Sequence, residues 1–437
     1  MRRSAFFLVV AAACAADHDP AQTLARLRAI VLDQAERLPN YACVQTIDRT
    51  FYRPTGMKPG HPGPCDEIAA LKKARKEHLA AISADRFRVD VRIGLEEEMY
   101  SWVGAGHFSD NSINQLLGSG ATTTGDLGPL LTNVVEDAPD FRYTGEQTAA
   151  GRPAYAYAFN VPASRSHHLF ETMGRDPMAV AYRGTILADA ETGTPLKLNI
   201  LVDDPPPETN SCQFRAALNY SAVAIGASSL LLPEKATQRL VAPGGSETEY
   251  DVAFSSCHEY TAESRIRYGA SAAVGHNGGP ASGEPAPLPS LEAPSGLPVA
   301  IVLDADIDSK GAAAGDRFRG RLAKPLEDGA ASYAPKGATV HGRVTMVLHA
   351  MNPDRVTIRL AVEAVELRGS DFAFHVAGAL SQYLAANAPR PAGALQTRGA
   401  PIGDLPAVSK GYSEARCPGK RCVLHAGSLT NWITVRP

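Results

Sequence analysis

The chain has 437 residues, enough for two or three domains of ordinary size. Apolar residues make up 44% and charged residues 20%, and the net charge of -3 leaves no basic surplus for nucleic acid or an acidic membrane face. The 32 prolines and 38 glycines suit many short strands and turns better than a helical bundle.

The N-terminus carries an export signal over residues 1–16. Arg2 and Arg3 precede the short apolar run Ala5 to Ala13, too short to cross a bilayer but suited to a signal peptide. No later stretch is long and apolar enough for a transmembrane helix. Two ends for the mature chain stay open. Ala13 and Ala15 suit ordinary signal peptidase, whereas Ala11-Ala12-Ala13-Cys14 is a lipobox-like string that would make Cys14 a lipidated N-terminus, although Ala replaces the usual Leu at its first position. Beyond Cys14 there are six cysteines: Cys43, Cys65, Cys212, Cys257, Cys417 and Cys422. An even set in an exported chain predicts disulfides. Nearest-neighbour pairing, 43–65, 212–257 and 417–422, is the simplest arrangement, and the Cys417-Pro-Gly-Lys-Arg-Cys422 turn is its firmest member.

Pro20 to Leu38 is predicted as a helix, since Leu24, Leu27, Ile30, Val31 and Ala35 recur at three- and four-residue spacing. Tyr41 to Tyr52 reads as a strand, Pro54 to Pro64 as a loop, and Asp66 to Ile82 as a second helix. Phe87, Val89 and Val91 alternate with Arg86, Arg88 and Arg92 in the next strand, and Glu98 to Trp102 follows as another. Short helices are predicted over Ser112 to Leu117 and Asp126 to Val135. From Phe141 to Tyr268 the pattern is an antiparallel meander. Its strands include Tyr155–Val161, Tyr182–Ala188, Leu196–Val202, Gln213–Ile225, Ser228–Leu232, Thr248–Phe254 and Ala262–Tyr268. Residues 270–298 form a Pro/Gly/Ala-rich linker. A second β unit, residues 299–437, contains Val299–Leu303, Arg317–Leu322, Thr339–Leu348, Val356–Leu367, Phe372–Leu380 and Val423–Val435. The predicted fold is mainly β (α+β): a curved antiparallel sheet wrapping a few helices over residues 17–269, the linker, and a small β-barrel-like domain.

Several short pieces carry a family resemblance. Leu38-Pro39-Asn40-Tyr41-Ala42-Cys43, Glu98-x-Tyr100-Ser101-Trp102, Tyr182-Arg183-Gly184-Thr185-Ile186 with Asp189-x-x-Thr192-Gly193, and Phe254-Ser255-x-Cys257-x-x-Tyr260 resemble exported proteins of the LolA/RseB lipoprotein-carrier fold. The resemblance implies a sheet whose hollow holds lipid acyl chains or a peptide. In the second unit, Ala314-Gly315-Asp316-Arg317-Phe318 and Ala334-Pro335-Lys336-Gly337-Ala338-Thr339-Val340-His341-Gly342-Arg343-Val344 resemble the β-barrel of TrbI-like conjugation and secretion channels. The membrane helix and long arm of such channels are missing, so the resemblance implies a borrowed barrel module without the secretion role.

Catalytic motifs are not apparent: there is no Gly-x-Ser-x-Gly elbow, phosphate loop or His-Glu-x-x-His. Asp304-x-Asp306-x-Asp308 resembles the start of a calcium loop, but Ser309 stands where glycine is needed and no Glu closes the frame, so a wet strand face is favoured. His167-His168 has no ligand-spaced Cys or carboxylate and is favoured as solvated loop. Cys257-His258-Glu259 offers a nucleophile and base, with a disulfide partner favoured. Leu230-Leu231-Leu232-Pro233 is favoured as buried strand over ligand wall. Tyr100, Trp102 and Tyr155 are the groove candidates, weighed against an ordinary aromatic core.

The expectation is a non-enzymatic cell-envelope protein of the periplasm or outer membrane with no cofactor and no metal. It would bind a lipid, lipoprotein segment or peptide in the hollow of its N-terminal sheet, and would touch a membrane only through an anchor at Cys14. The alternative is a structural or assembly protein whose two β domains are separate surfaces for other envelope proteins. A hydrolase would require a cleft with converging His and carboxylate groups.

Overall fold

The computed structural model describes residues 19–37, 41–55, 65, 78–93, 98–105, 108, 129–172, 175–225, 228–259, 288–378, 382–383 and 411–436. The signal segment with Cys14, the helix predicted over Ser112 to Leu117 and the strand predicted over Ala262 to Tyr268 lie outside them.

The N-terminal part holds α1 (Pro20–Arg37), β1 (Tyr41–Thr55), β2 (His78–Ile93), β3 (Glu98–Trp102), α2 (Leu130–Asp137), β4 (Arg142–Ala149) and β5 (Arg152–Val161). After these come β6 (Leu169–Thr172), β7 (Arg175–Ala179), β8 (Tyr182–Asp189), β9 (Pro195–Val202), β10 (Gln213–Ile225), β11 (Ser228–Val241) and β12 (Glu247–Glu259). Apart from the separate β6–β7 hairpin, these strands pair antiparallel in the order β3-β2-β1-β12-β11-β10-β9-β8-β5-β4. The mainly β fold with a large antiparallel sheet is therefore as predicted. The second predicted helix is corrected where it can be seen: His78 to Ile82 opens β2. Its ladder to Pro54, Thr55 and the rest of β1 supplies the backbone partners that a helix would otherwise provide.

Period-two alternation decides which face is buried. Tyr157, Ile186, Leu198, Phe214 and Leu218 point to one face and join Leu27 and Val31 of α1 and Leu130 and Val134 of α2 in a single core. A fully buried Leu or Ile there contributes about 1.5–3 kcal/mol. The turn after β8 seats α1. Asp189 Oδ1 accepts from the amides of Glu191 and Thr192, Gly193 has φ +77°, and the Thr23 hydroxyl donates to the Ala190 carbonyl at 3.2 Å. A Cβ on Gly193 would lie 2.7 Å from Cβ of Arg26, so the glycine permits the close approach.

The C-terminal part holds β13 (Pro298–Leu303), β14 (Ile307–Asp308), β15 (Arg317–Leu322), β16 (Leu326–Asp328), β17 (Ala331–Ala334), β18 (Thr339–Ala350) and β19 (Arg355–Leu367). It continues with β20 (Ser370–Ala373), β21 (Val376–Gly378), β22 (Gln382–Tyr383), β23 (Ser413–Pro418), β24 (Val423–Leu424) and β25 (Leu429–Thr434). Strands run in the order β21-β25-β13-β15-β18-β19-β23 around a second core that includes Ile301, Val340, Ile358 and Trp432. Leu291, Ala293 and Leu297, at the end of the proline-rich stretch, pack against that core.

The two parts are joined through the edge of β2. β3 covers its Val89–Ile93 segment, Ala314 bridges Phe87, and β18 pairs with Ser83–Asp85. The amide of Arg88 donates to the Ala314 carbonyl at 2.7 Å, and the amide of Ala314 donates to the Arg86 carbonyl at 2.9 Å. Side chains secure the seam: Arg88 pairs with Asp316, Arg317 donates to the Gly104 carbonyl, and buried Arg343 reaches the carbonyls of Val103 (3.1 Å) and Gly315 (2.7 Å). An otherwise open strand edge, a ready template for unwanted pairing, is thereby closed by the chain itself.

All six described cysteines are paired, but not by sequence proximity. Cys43 bonds to Cys257, Cys65 to Cys212, and only Cys417–Cys422 follows the nearest-neighbour arrangement. Register explains the first: β1 lies against β12, so the bulge between Ala42 and Val44 sets Cys43 beside Cys257.

Candidate ligand-binding trough

The sheet face turned away from α1 and α2 carries a trough of about 890 Å3 that crosses β4, β5, β8, β9, β10, β11 and β12. Successive rungs place side chains along it: Ala158, Thr185, Asn199, Ala217 and Thr237 stand side by side in neighbouring strands, with Asn160, Arg183, Leu201, Arg215 and Arg239 in the next row. Small residues keep the hollow open. Ala158 and Ala217 present only methyl groups to it, while on the core face behind them Gly184 has no room for a Cβ, which would lie 2.0 Å from the Asn199 carbonyl oxygen and 2.6 Å from the Phe159 ring. The floor is fixed by local hydrogen bonds: Asn199 Nδ2 donates to Thr185 Oγ1 at 3.0 Å, and Thr237 donates to Asp251 at 3.1 Å. The result is an apolar strip bordered by amide, hydroxyl and guanidinium groups, the usual composition of a site for an amphipathic molecule.

The groove candidates sit elsewhere. Tyr100 and Tyr155 are buried in the first core, and Trp102 packs half-buried against it. Tyr155 stacks edge-on with Tyr143 at 5.5 Å, while Tyr100 lies opposite Val91 on the far side of the sheet. The structure therefore does not bring the three side chains together on the open face. Leu230 and Leu232 are buried core residues, as favoured.

The other polar candidates have partners within the fold. Asp304 pairs with Arg321, Asp306 with His425 and Asp308 with Arg421. No group of three or more potential metal ligands occurs among the described residues. The Cys257 sulfur is in a disulfide, and His258 Nδ1 lies 3.0 Å from the Ser256 carbonyl.

His167 and His168 are not alike, which corrects their reading as a solvated pair. His167 is exposed and bonds to buried Asp137, which also accepts from the Tyr182 hydroxyl at 3.0 Å. His168 is buried among the rings of Phe170, Tyr182 and Phe214, and burial pushes its imidazole down to about 4 against the opposing pull of Asp137. An unfolded imidazole titrates near about 6.5, so between these values the unfolded chain binds more protons and stability falls as pH drops through that window. Denaturant unfolding at about pH 7.5 and 4.5 should show the wild type losing about 2–3 kcal/mol more than His168→Phe. Equal losses would mean that the folded state protonates this ring.

The trough was missed because its residues are individually ordinary. The available signal was the outward half of each strand's alternation: Ala158-x-Asn160, Asn199-x-Leu201, Arg215-x-Ala217 and Thr237-x-Arg239 interleave with large inward apolar side chains. A solvated face normally carries longer polar groups at such positions.

No family model matches the chain, and no curated protein matches it. Solved structures do. A LolA superfamily protein from Nitrosomonas europaea is 8% identical, with a TM-score of 0.22, covering 54% of this chain and 91% of that one. The Mycobacterium tuberculosis lipoprotein LppX is 14% identical, with a TM-score of 0.20, covering 56% and 98%. The MucA/MucB complex of Pseudomonas aeruginosa is 14% identical, with a TM-score of 0.18, covering 80% and 90%. These neighbours include the LolA-type proteins that the N-terminal motifs resemble, while the TrbI-like resemblance of residues 299–437 finds no support among them. With scores this low, the reading of the trough rests on the chain's own residues.

Proposed function

We propose that this chain is an exported, non-enzymatic envelope protein that holds one amphipathic ligand, a lipid, lipoprotein segment or peptide, in the trough of its N-terminal sheet. The observation that carries this reading is the hollow of about 890 Å3 with its strip of small and apolar side chains. That volume falls within the ordinary range for small-molecule sites. The Arg2, Arg3 and Ala5 to Ala13 leader supports export, and no helix among the described residues is long and apolar enough to cross a membrane.

Filling the trough tests the reading. Ala217→Trp places an indole on the floor of the hollow and is expected to weaken binding of a fluorescent acyl probe at least about tenfold, equivalent to about 1.4 kcal/mol. Thermal unfolding should remain near the wild-type value, because the position faces outward. Undiminished probe binding in a folded variant would remove the trough from the account.

A further inference from the structure

The trough lining is rich in guanidinium groups. Four arginines line it, Arg142, Arg183, Arg215 and Arg239, against two carboxylates, Asp140 and Glu249. Arg183 is paired with Asp203, and Arg239 with Glu247 and Glu249. Arg215 is exposed and has no ion-pair or hydrogen-bond partner among the described residues. It stands directly opposite Arg239 across the β10–β11 ladder, with Leu201 opposite it on β9. Like charges facing each other across antiparallel strands destabilise the pair. Glu247 and Glu249 engage Arg239 directly, whereas the Arg215 guanidinium donors have no acceptor among the described residues.

Resting on the trough reading above, we propose that the ligand is an anionic lipid. Its phosphate or carboxylate head is held by the Arg215 guanidinium, and its acyl chain lies across Ala217, Leu201 and Ala158 toward β4. A planar guanidinium meets such an oxyanion with two parallel N–H donors. The strip from β10 to β4 crosses four strand spacings, about 19 Å at about 4.8 Å each, giving a chain room to extend. Arg142 also lacks a partner among the described residues, but it lies at the β4 end, two positions from Asp140. Arg319, exposed on β15 and outside the trough lining, serves as the comparison.

The test uses the mature full-length protein with lysophosphatidylglycerol and lysophosphatidylcholine of identical acyl chain, each below its micelle concentration, in a probe-displacement titration. Inorganic phosphate serves as a competitor. The wild type is expected to prefer the anionic lipid at least tenfold. Arg215→Gln should abolish the preference, Arg319→Gln should retain it, and inorganic phosphate should compete only weakly because it lacks the chain. Equal wild-type binding of the two lipids would overturn the head-group assignment while leaving the trough reading standing, as would a preference that survives in Arg215→Gln. Strong competition by phosphate alone would replace the lipid with a free anion. Binding of neither lipid, with no displacement of the probe, would sink the trough reading and this inference together.

Discussion

Gly315→Ala is expected to unseat the C-terminal part from the edge of β2 and to cost more than about 3 kcal/mol of stability. Gly315 has φ +105°, where an L side chain is strained, and a Cβ there would lie 2.0 Å from the Arg88 carbonyl oxygen and 2.9 Å from the Trp102 ring. Neither obstacle is the free end of a flexible chain: one is backbone in the middle of a ladder and the other is wedged against the core. The neighbouring bonds would be lost together, since Ala314 is fully buried in the first core and Asp316 pairs with Arg88. Hydrogen exchange read at the amide of Arg88 and at that of Met351, which donates to the Ile82 carbonyl at 2.9 Å, should accelerate strongly in the variant, with Tm falling. Unchanged protection of both amides would show that the seam does not depend on this close approach.

Removing the Cys43–Cys257 bond should be the other large perturbation. Its partners are 214 residues apart in sequence, whereas those of Cys417–Cys422 are separated by 5. On chain-entropy grounds, the long loop contributes about 5 kcal/mol and the short one about 2 kcal/mol. Denaturant unfolding of Cys43→Ala/Cys257→Ala beside Cys417→Ala/Cys422→Ala is expected to show that the first pair costs more. The opposite order would mean that the β1–β12 ladder already confines the unfolded chain, or that the short loop holds the C-terminal strands more tightly than its length implies.

Much of the fold was legible because most strands announce themselves locally. Phe87, Val89 and Val91 alternate with three arginines, and Leu24, Leu27 and Val31 recur at helical spacing; both patterns became the elements they predicted. The failures have physical causes. His78 to Ile82 carries good helix formers, but β1 extends far enough to recruit it as a strand, a tertiary pairing that overrides propensity. Cys417–Cys422 was legible from its short turn, but the other two disulfides were misassigned because sequence distance carries no information about the β1–β12 closure that places Cys43 beside Cys257. The phrase around Gly315 stood out as a motif, yet its work as the clasp between the two parts depends on Arg88, more than two hundred positions earlier. The aromatic residues Tyr100, Trp102 and Tyr155 attracted attention as groove walls, while the open face is built largely from alanine, asparagine, threonine and arginine. A hollow made by the absence of large side chains leaves little trace in a linear reading.

Native mass spectrometry of the protein purified from its own envelope fraction, followed by intact mass under denaturing conditions, tests the central claim most directly. The account predicts a noncovalent adduct of lipid or lipopeptide mass that is lost on denaturation and is absent from Ala217→Trp prepared in the same way. An adduct held equally by Ala217→Trp, or a wild-type chain that carries none and takes up none when offered anionic lipid, would contradict it.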